Sequence, residues 1–119
     1  MYLDDVLQAK PLSIEKLRIH FRDVYKLNES QVETMVQSSS KSLVFAMDTI
    51  DDFLRKKECG EELGLVFHNL KGVLLNMGEE EWAHYFRTIE RRIAADEKCD
   101  MSRVQKIMKS GLQDVLSYG

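Results

Sequence analysis

Residues 61–78 read EELGLVFHNLKGVLLNMG, and the spacing of their apolar side chains decides the fold class. At about 100° per residue, Leu63, Val66, Phe67, Leu70, Val73, Leu74 and Met77 fall on one stripe of a helix that must meet a core. Gly78 stands where a left-handed residue closes a helix C-terminus. His68 falls roughly 160° from the centre of the stripe, on the solvent side. Gly64 and Gly72 lie one turn before and after it. Leu65 and Leu75 share that outer face, and Lys71 sits at its flank.

The same periodicity extends in both directions. After Gly78, Glu79, Glu80 and Glu81 suit the positive end of a helix that carries Trp82, Tyr85, Phe86, Ile89 and Ile93 on one face. Residues 61–95 are therefore expected to form a helical hairpin. Upstream, Ser30-Gln-Val-Glu33 reads as a capping box. It opens a helix with Val32, Met35, Val36, Leu43, Met47, Ile50 and Leu54 inward, closed by Lys56, Lys57 and Gly60. Ser38, Ser39 and Ser40 are its weakest point, where a bend or break is expected. A shorter helix runs from a Ser13 cap to about Leu27 with Leu17, Phe21 and Val24 on its face. Residues 1–12 form an N-terminal arm with Leu3, Val6 and Leu7. A last helix starts near Asp100 or Ser102 and shows Val104, Ile107, Met108, Leu112 and Val115. Short connections make sequential helices antiparallel neighbours. The expectation is an all-α chain, a single domain over residues 1–119. Its architecture would be an up-and-down antiparallel four-helix bundle with an additional N-terminal helix or arm.

Composition agrees and narrows the function. The 119 residues are 44% hydrophobic and 31% charged, with one proline and six glycines, too few breakers for a sandwich or barrel. A net charge of -3 gives no basic footprint for nucleic acid or an anionic membrane. No apolar run approaches the roughly 18–20 residues of a membrane span, and the acidic start has no signal-peptide pattern. Two cysteines, Cys59 and Cys99, make no disulfide framework, so a cytoplasmic setting is expected. Both fall in connections expected at one end of the bundle, where they could be neighbours.

The face around His68 is unusual for plain surface. Each mid-helix glycine costs about 0.8–1 kcal/mol relative to alanine. Glycines on both sides of an exposed histidine clear access to the imidazole, and outward leucines offer an apolar surface to a partner. Lys71 adds a positive charge that can receive an anion. A neutral imidazole is a nucleophile. The chemistry indicated is nucleophilic attack on an anionic electrophile, above all phosphoryl transfer.

His68-Asn69-Leu70-Lys71-Gly72, with Gly78 ten positions after the histidine, resembles the signature of histidine-containing phosphotransfer (HPt) domains. The resemblance implies a four-helix bundle that is phosphorylated reversibly on the exposed histidine. The phosphoryl group passes to or from an aspartate on a response-regulator receiver domain, and a hybrid sensor histidine kinase is a further implied partner. His68 would be the phospho-acceptor, Lys71 would steady the phosphoryl oxygens, and Gly72 would leave room for the receiver. Gly64, Leu65 and Leu75 would complete the partner-binding face, and Leu70 and Gly78 the structural part of the motif. The carrier would need no metal of its own, since the receiver supplies Mg²⁺, and is expected as a monomer. One departure stands out. The family usually has small residues after the glycine, whereas Val73-Leu74-Leu75 follow here; Val73 and Leu74 are expected inward, and Leu75 on the docking face.

Other residues carry weaker signals. Arg87, Glu90 and Arg91 lie about as far after the hairpin turn as His68 lies before it. One could approach the site, although a solvated charged face is the simpler expectation. His84 is spaced for an ion pair with Glu80 or Glu81, and His20 reads as a packed or boundary residue. Two other functions compete with the carrier. One is a non-phosphorylated helical adaptor that binds a partner through Leu65 and Leu75. The other, the phospho-acceptor segment of a sensor kinase, is disfavoured by the lack of a proline soon after the histidine.

Overall fold

A computed structural model describes residues 10–56, 61–97 and 100–118. They form five helices: α1 (Ile14–Tyr25), α2 (Glu29–Lys56), α3 (Glu61–Asn76), α4 (Glu80–Ala94) and α5 (Met101–Leu116). No strand occurs among the described residues, so the all-helical expectation is met. The Cα radius of gyration is 14.4 Å and the principal extents are 43 × 27 × 21 Å. No helix among the described residues is long and apolar enough to cross a membrane. Most of the N-terminal arm and both cysteines lie outside the described residues.

Several of the described helix ends have local causes. Ser13 caps α1 by accepting from the Lys16 backbone N–H, and Lys26 ends it in the left-handed region. The capping box of α2 sits two residues earlier than expected. Asn28 Oδ1 accepts from Gln31 N at 2.9 Å, and Gln31 Oε1 accepts from Asn28 N at 3.0 Å. Glu33, the expected box partner of Ser30, is instead bound to Arg18 and to the Tyr118 hydroxyl. Gly78 closes α3 at φ +77, with Gly78 N bonding Leu75 O and Glu79 N bonding Leu74 O. That pair of bonds is a Schellman motif. Asp100 caps α5 through the Arg103 N–H.

The core joins all five helices in one cluster around Phe21, Leu43, Phe67, Trp82, Tyr85, Phe86 and Met108. α3 lies along α4, and α2 packs against α1, α3 and α5. Most inward faces match the periodicity, with instructive exceptions. Val24, expected inward, is 60% exposed in the last turn of α1, one residue before the helix ends. Val66 and Val73 are only partly buried and edge the core beside α2. The serine run does not break α2, which is continuous from Glu29 to Lys56. Ser39 and Ser40 are buried, and their hydroxyls donate to Met35 O and Tyr118 O, which satisfies them without interrupting the helix.

Two tertiary features were not anticipated. Gly111 lies under the Trp82 indole, where any Cβ would collide with the ring. The indole N–H in turn donates to Lys10 O, while Leu12 N donates to Gly111 O, so the chain before α1 is fastened across α4 and α5. Tyr118 closes the far end of the chain onto α1 and α2. Its ring lies under the Arg18 guanidinium, and its hydroxyl joins Arg18 and Glu33. Those hydrogen bonds, Tyr118 first and Arg18 second, hold the Glu33 carboxyl below its ordinary range.

Candidate functional site

The α3–α4 hairpin sets the geometry around His68. The Gly78 turn reverses the chain, and Phe67 packs on Phe86 with ring centroids 5.9 Å apart. That contact fixes the phase of α4 against α3. One residue around from Phe67, the His68 imidazole therefore meets Glu90: Nδ1 lies 3.0 Å from Glu90 Oε2. The other carboxylate oxygen, Oε1, lies 3.5 Å from Lys71 Nζ. One carboxylate thus spans a histidine and a lysine one turn apart on α3.

This arrangement fixes the chemistry of the ring. An ionised carboxylate can only accept, so the Nδ1–H of the ring donates the hydrogen bond to Glu90 Oε2. In the neutral imidazole the lone pair then resides on Nε2. The His68 side chain is 54% exposed, against 27% for Glu90 and 25% for Lys71. The imidazole is thus the most exposed of the three, and the carboxylate that holds it is partly buried together with Lys71. For Arg87, Glu90 and Arg91 the simpler expectation was a solvated charged face; Glu90 departs from it and meets His68 and Lys71. Arg87 and Arg91 remain exposed on the same helix.

The other expected site residues divide. Leu65 and Leu75 are 58% and 50% exposed, on either side of His68 along α3. Gly72 has open space where a side chain would begin, with nothing within 4 Å of an added Cβ. Gly64 differs: an added Cβ would stand 3.5 Å from Ile93 Cγ2, so this glycine faces the seam with α4 rather than open solvent beside the imidazole. Leu70 and Leu74 are buried in the core, and Val73, partly buried, packs against it at the edge of a surface groove.

His20 is anchored to the same hairpin. Its Nε2 and the Tyr25 hydroxyl both donate to Asn76 O, at 3.1 and 3.2 Å, satisfying a carbonyl at the end of α3. The ring lies where a Cβ on Gly78 would be, so glycine is needed there for space as well as for its positive φ. His84 is exposed and makes no ion pair with Glu80 or Glu81. Among the described residues, no three His, Cys, Asp or Glu side chains come together as metal ligands.

Sequence reasoning passed over Phe45. It projects from α2 at 74% exposure, beside a groove between α2 and α3. Periodicity sorts inward faces and has no category for an outward aromatic. Comparison of the chain with family models, with curated proteins and with solved structures finds no match in any of the three.

Proposed function

We propose that the protein is a phosphorelay carrier of the HPt type, with His68 Nε2 as the phospho-acceptor. The observation that carries this reading is the Glu90 carboxylate on Nδ1, which leaves Nε2 as the nucleophile. In the forward step the Nε2 lone pair attacks the phosphorus of an aspartyl phosphate on a receiver domain. The N–P bond forms as the acyl O–P bond breaks, and the aspartate leaves as its carboxylate. The ring becomes a cation while Nδ1 keeps its proton, and Glu90 offsets that charge. Lys71, loosely paired at 3.5 Å, can turn from Glu90 to the phosphoryl oxygens. The reverse step restores the acyl phosphate. Mg²⁺ belongs to the receiver, and the carrier contributes orientation and one nucleophile.

The same reading takes α2, α3, α4 and α5 as an antiparallel four-helix bundle, with α1 as the additional N-terminal helix. It implies a monomer working in the cytoplasm beside a receiver and a hybrid sensor kinase. Incubation with a phosphorylated receiver and Mg²⁺ tests it. Acid-labile, base-stable label is expected on the wild type and none on His68→Gln; label retained by the variant rules out the assigned acceptor. The exposure of Leu65 and Leu75 supports a second reading, an unphosphorylated adaptor, which the absence of label with every receiver tried would favour.

A further inference from the structure

The charged and apolar residues around Phe45 are arranged in matched pairs. On α2, Lys41 lies four residues before Phe45 and Asp48 three residues after it, about 6 and 4.5 Å along the helix. At 100° per residue both project to the same side of Phe45, by about 40° and 60°. Both are exposed, and neither joins an ion pair among the described residues. Beside Phe45 runs a groove of about 370 Å³, walled on α3 by Val66, Asn69, Leu70 and Val73. The exposed Leu65 and Leu75 lie five residues either side of Leu70, about 7.5 Å along α3. His68 and Gly72 lie two residues either side of it.

These spacings share one two-fold axis, which crosses α2 at Phe45 and α3 near Leu70. A second copy of the chain turned about that axis lays its α2 antiparallel on α2 and its α3 antiparallel on α3. Each Lys41 then faces Asp48 of the other copy, so opposite charges meet twice in the pair. Each Leu65 faces Leu75 of the other copy, and the Phe45 rings meet at the axis over the two grooves. His68 stands opposite Gly72, where nothing lies within 4 Å of an added Cβ. A parallel arrangement instead sets Lys41 over Lys41 and Asp48 over Asp48, which like charges oppose.

We infer that the α2–α3 face is a self-association surface, on which two copies of this chain pair antiparallel through Phe45 and shield His68. Phe45 is the anchor, since an exposed aromatic beside a preformed groove gains most from burial at an interface. An interface of ordinary size takes about 800 Å² from each partner, a disc of roughly 16 Å radius. Asn69 lines the groove, and the His68 Cα is about 3.8 Å from that of Asn69, so the imidazole falls inside the disc. The pairing does not depend on the carrier reading, but its consequence does. In that reading the monomer is the working form, and the pair is a resting form that withholds the nucleophile until it dissociates.

Two measurements on the full chain test the pairing and the shielding separately. Sedimentation equilibrium from about 1 µM to 1 mM should pass from the monomer mass to the dimer mass. Phosphoramidate, a small phosphoryl donor, labels an accessible histidine without a protein partner, and peptide mass locates the label. Labelling of His68 should fall with the monomer fraction, ~10-fold where about nine tenths of the chain is paired. Phe45→Ala should stay monomeric, keep the wild-type Tm and label at the dilute wild-type rate at every concentration. Lys41→Asp and Asp48→Lys each set like charges opposite, and each should raise the dissociation constant at least ~10-fold. The double variant should recover the wild-type value. Wild type that stays monomeric throughout would overturn the inference and leave the face to a different protein. A dimer that survives Phe45→Ala, or a double variant that does not recover, would overturn it by placing the contact elsewhere. A dimer whose His68 labels at the dilute rate would overturn the shielding. Wild type that pairs as expected but takes no label on His68 even when dilute would defeat the carrier reading and leave the pairing standing.

Discussion

Glu90 does at the residue scale what a bare histidine on a helix cannot. A free imidazole divides its proton between two nitrogens, whereas a carboxylate 3.0 Å from Nδ1 selects one tautomer. On the proposed carrier reading it would also offer a counter-charge to the cationic phosphorylated ring. Hydrogen bonds to charged groups contribute about 1.5–3 kcal/mol, so Glu90→Ala should slow phosphoryl uptake by roughly 10–100-fold. Glu90→Gln retains an acceptor oxygen and should fall between. The ¹⁵N shifts of the His68 ring supply the readout that a merely structural role would not move. A single Nδ1–H tautomer is expected in the wild type and a mixture in Glu90→Ala. An unchanged tautomer in the alanine variant would remove Glu90 from this role.

Helices and their contacts explain how far the sequence could be read. The stripe from Leu63 to Met77 and the Gly78 stop were legible because helix period and C-capping are local. The start of α2 was misplaced because two box patterns overlap, Asn28 with Gln31 and Ser30 with Glu33. The second was ruled out by tertiary partners, Arg18 and Tyr118, that no local pattern displays. Counting from the turn put Glu90 among three residues that could approach His68, although a solvated face was the simpler expectation for all of them. Choosing among them required the phase that Phe67 on Phe86 imposes. The glycines make the same point energetically. Gly72→Ala meets nothing within 4 Å and should stabilise the helix by about 0.8–1 kcal/mol, while leaving phosphoramidate labelling unchanged. Gly111→Ala drives a Cβ into the Trp82 ring and should cost about 1–3 kcal/mol. Thermal melts of the two variants check both signs; a stabilised Gly111→Ala would contradict the Trp82 packing.

Across the whole molecule, the ends of the described chain are fastened away from the site. Trp82 holds Lys10, and Tyr118 sits between Arg18 and Glu33. The Glu33 carboxyl is depressed by those hydrogen bonds, so its contribution is present above the ordinary glutamate range. It is lost as pH falls through the lowered folded-state value. Glu33→Gln should therefore lower Tm slightly at pH 7, and the difference from wild type should close at strongly acidic pH. A difference that persists there would assign the loss to packing instead. None of these contacts involves His68, which is compatible with the proposed carrier role. The central claim is that the site carries a phosphoryl group in both directions. Its most direct test starts from protein already phosphorylated on His68, isolated and mixed with an unphosphorylated receiver domain and Mg²⁺. The account predicts that the N–P label disappears from His68 as acyl phosphate appears on the receiver. Label that stays on His68 with every receiver, or is lost only to water, would contradict it.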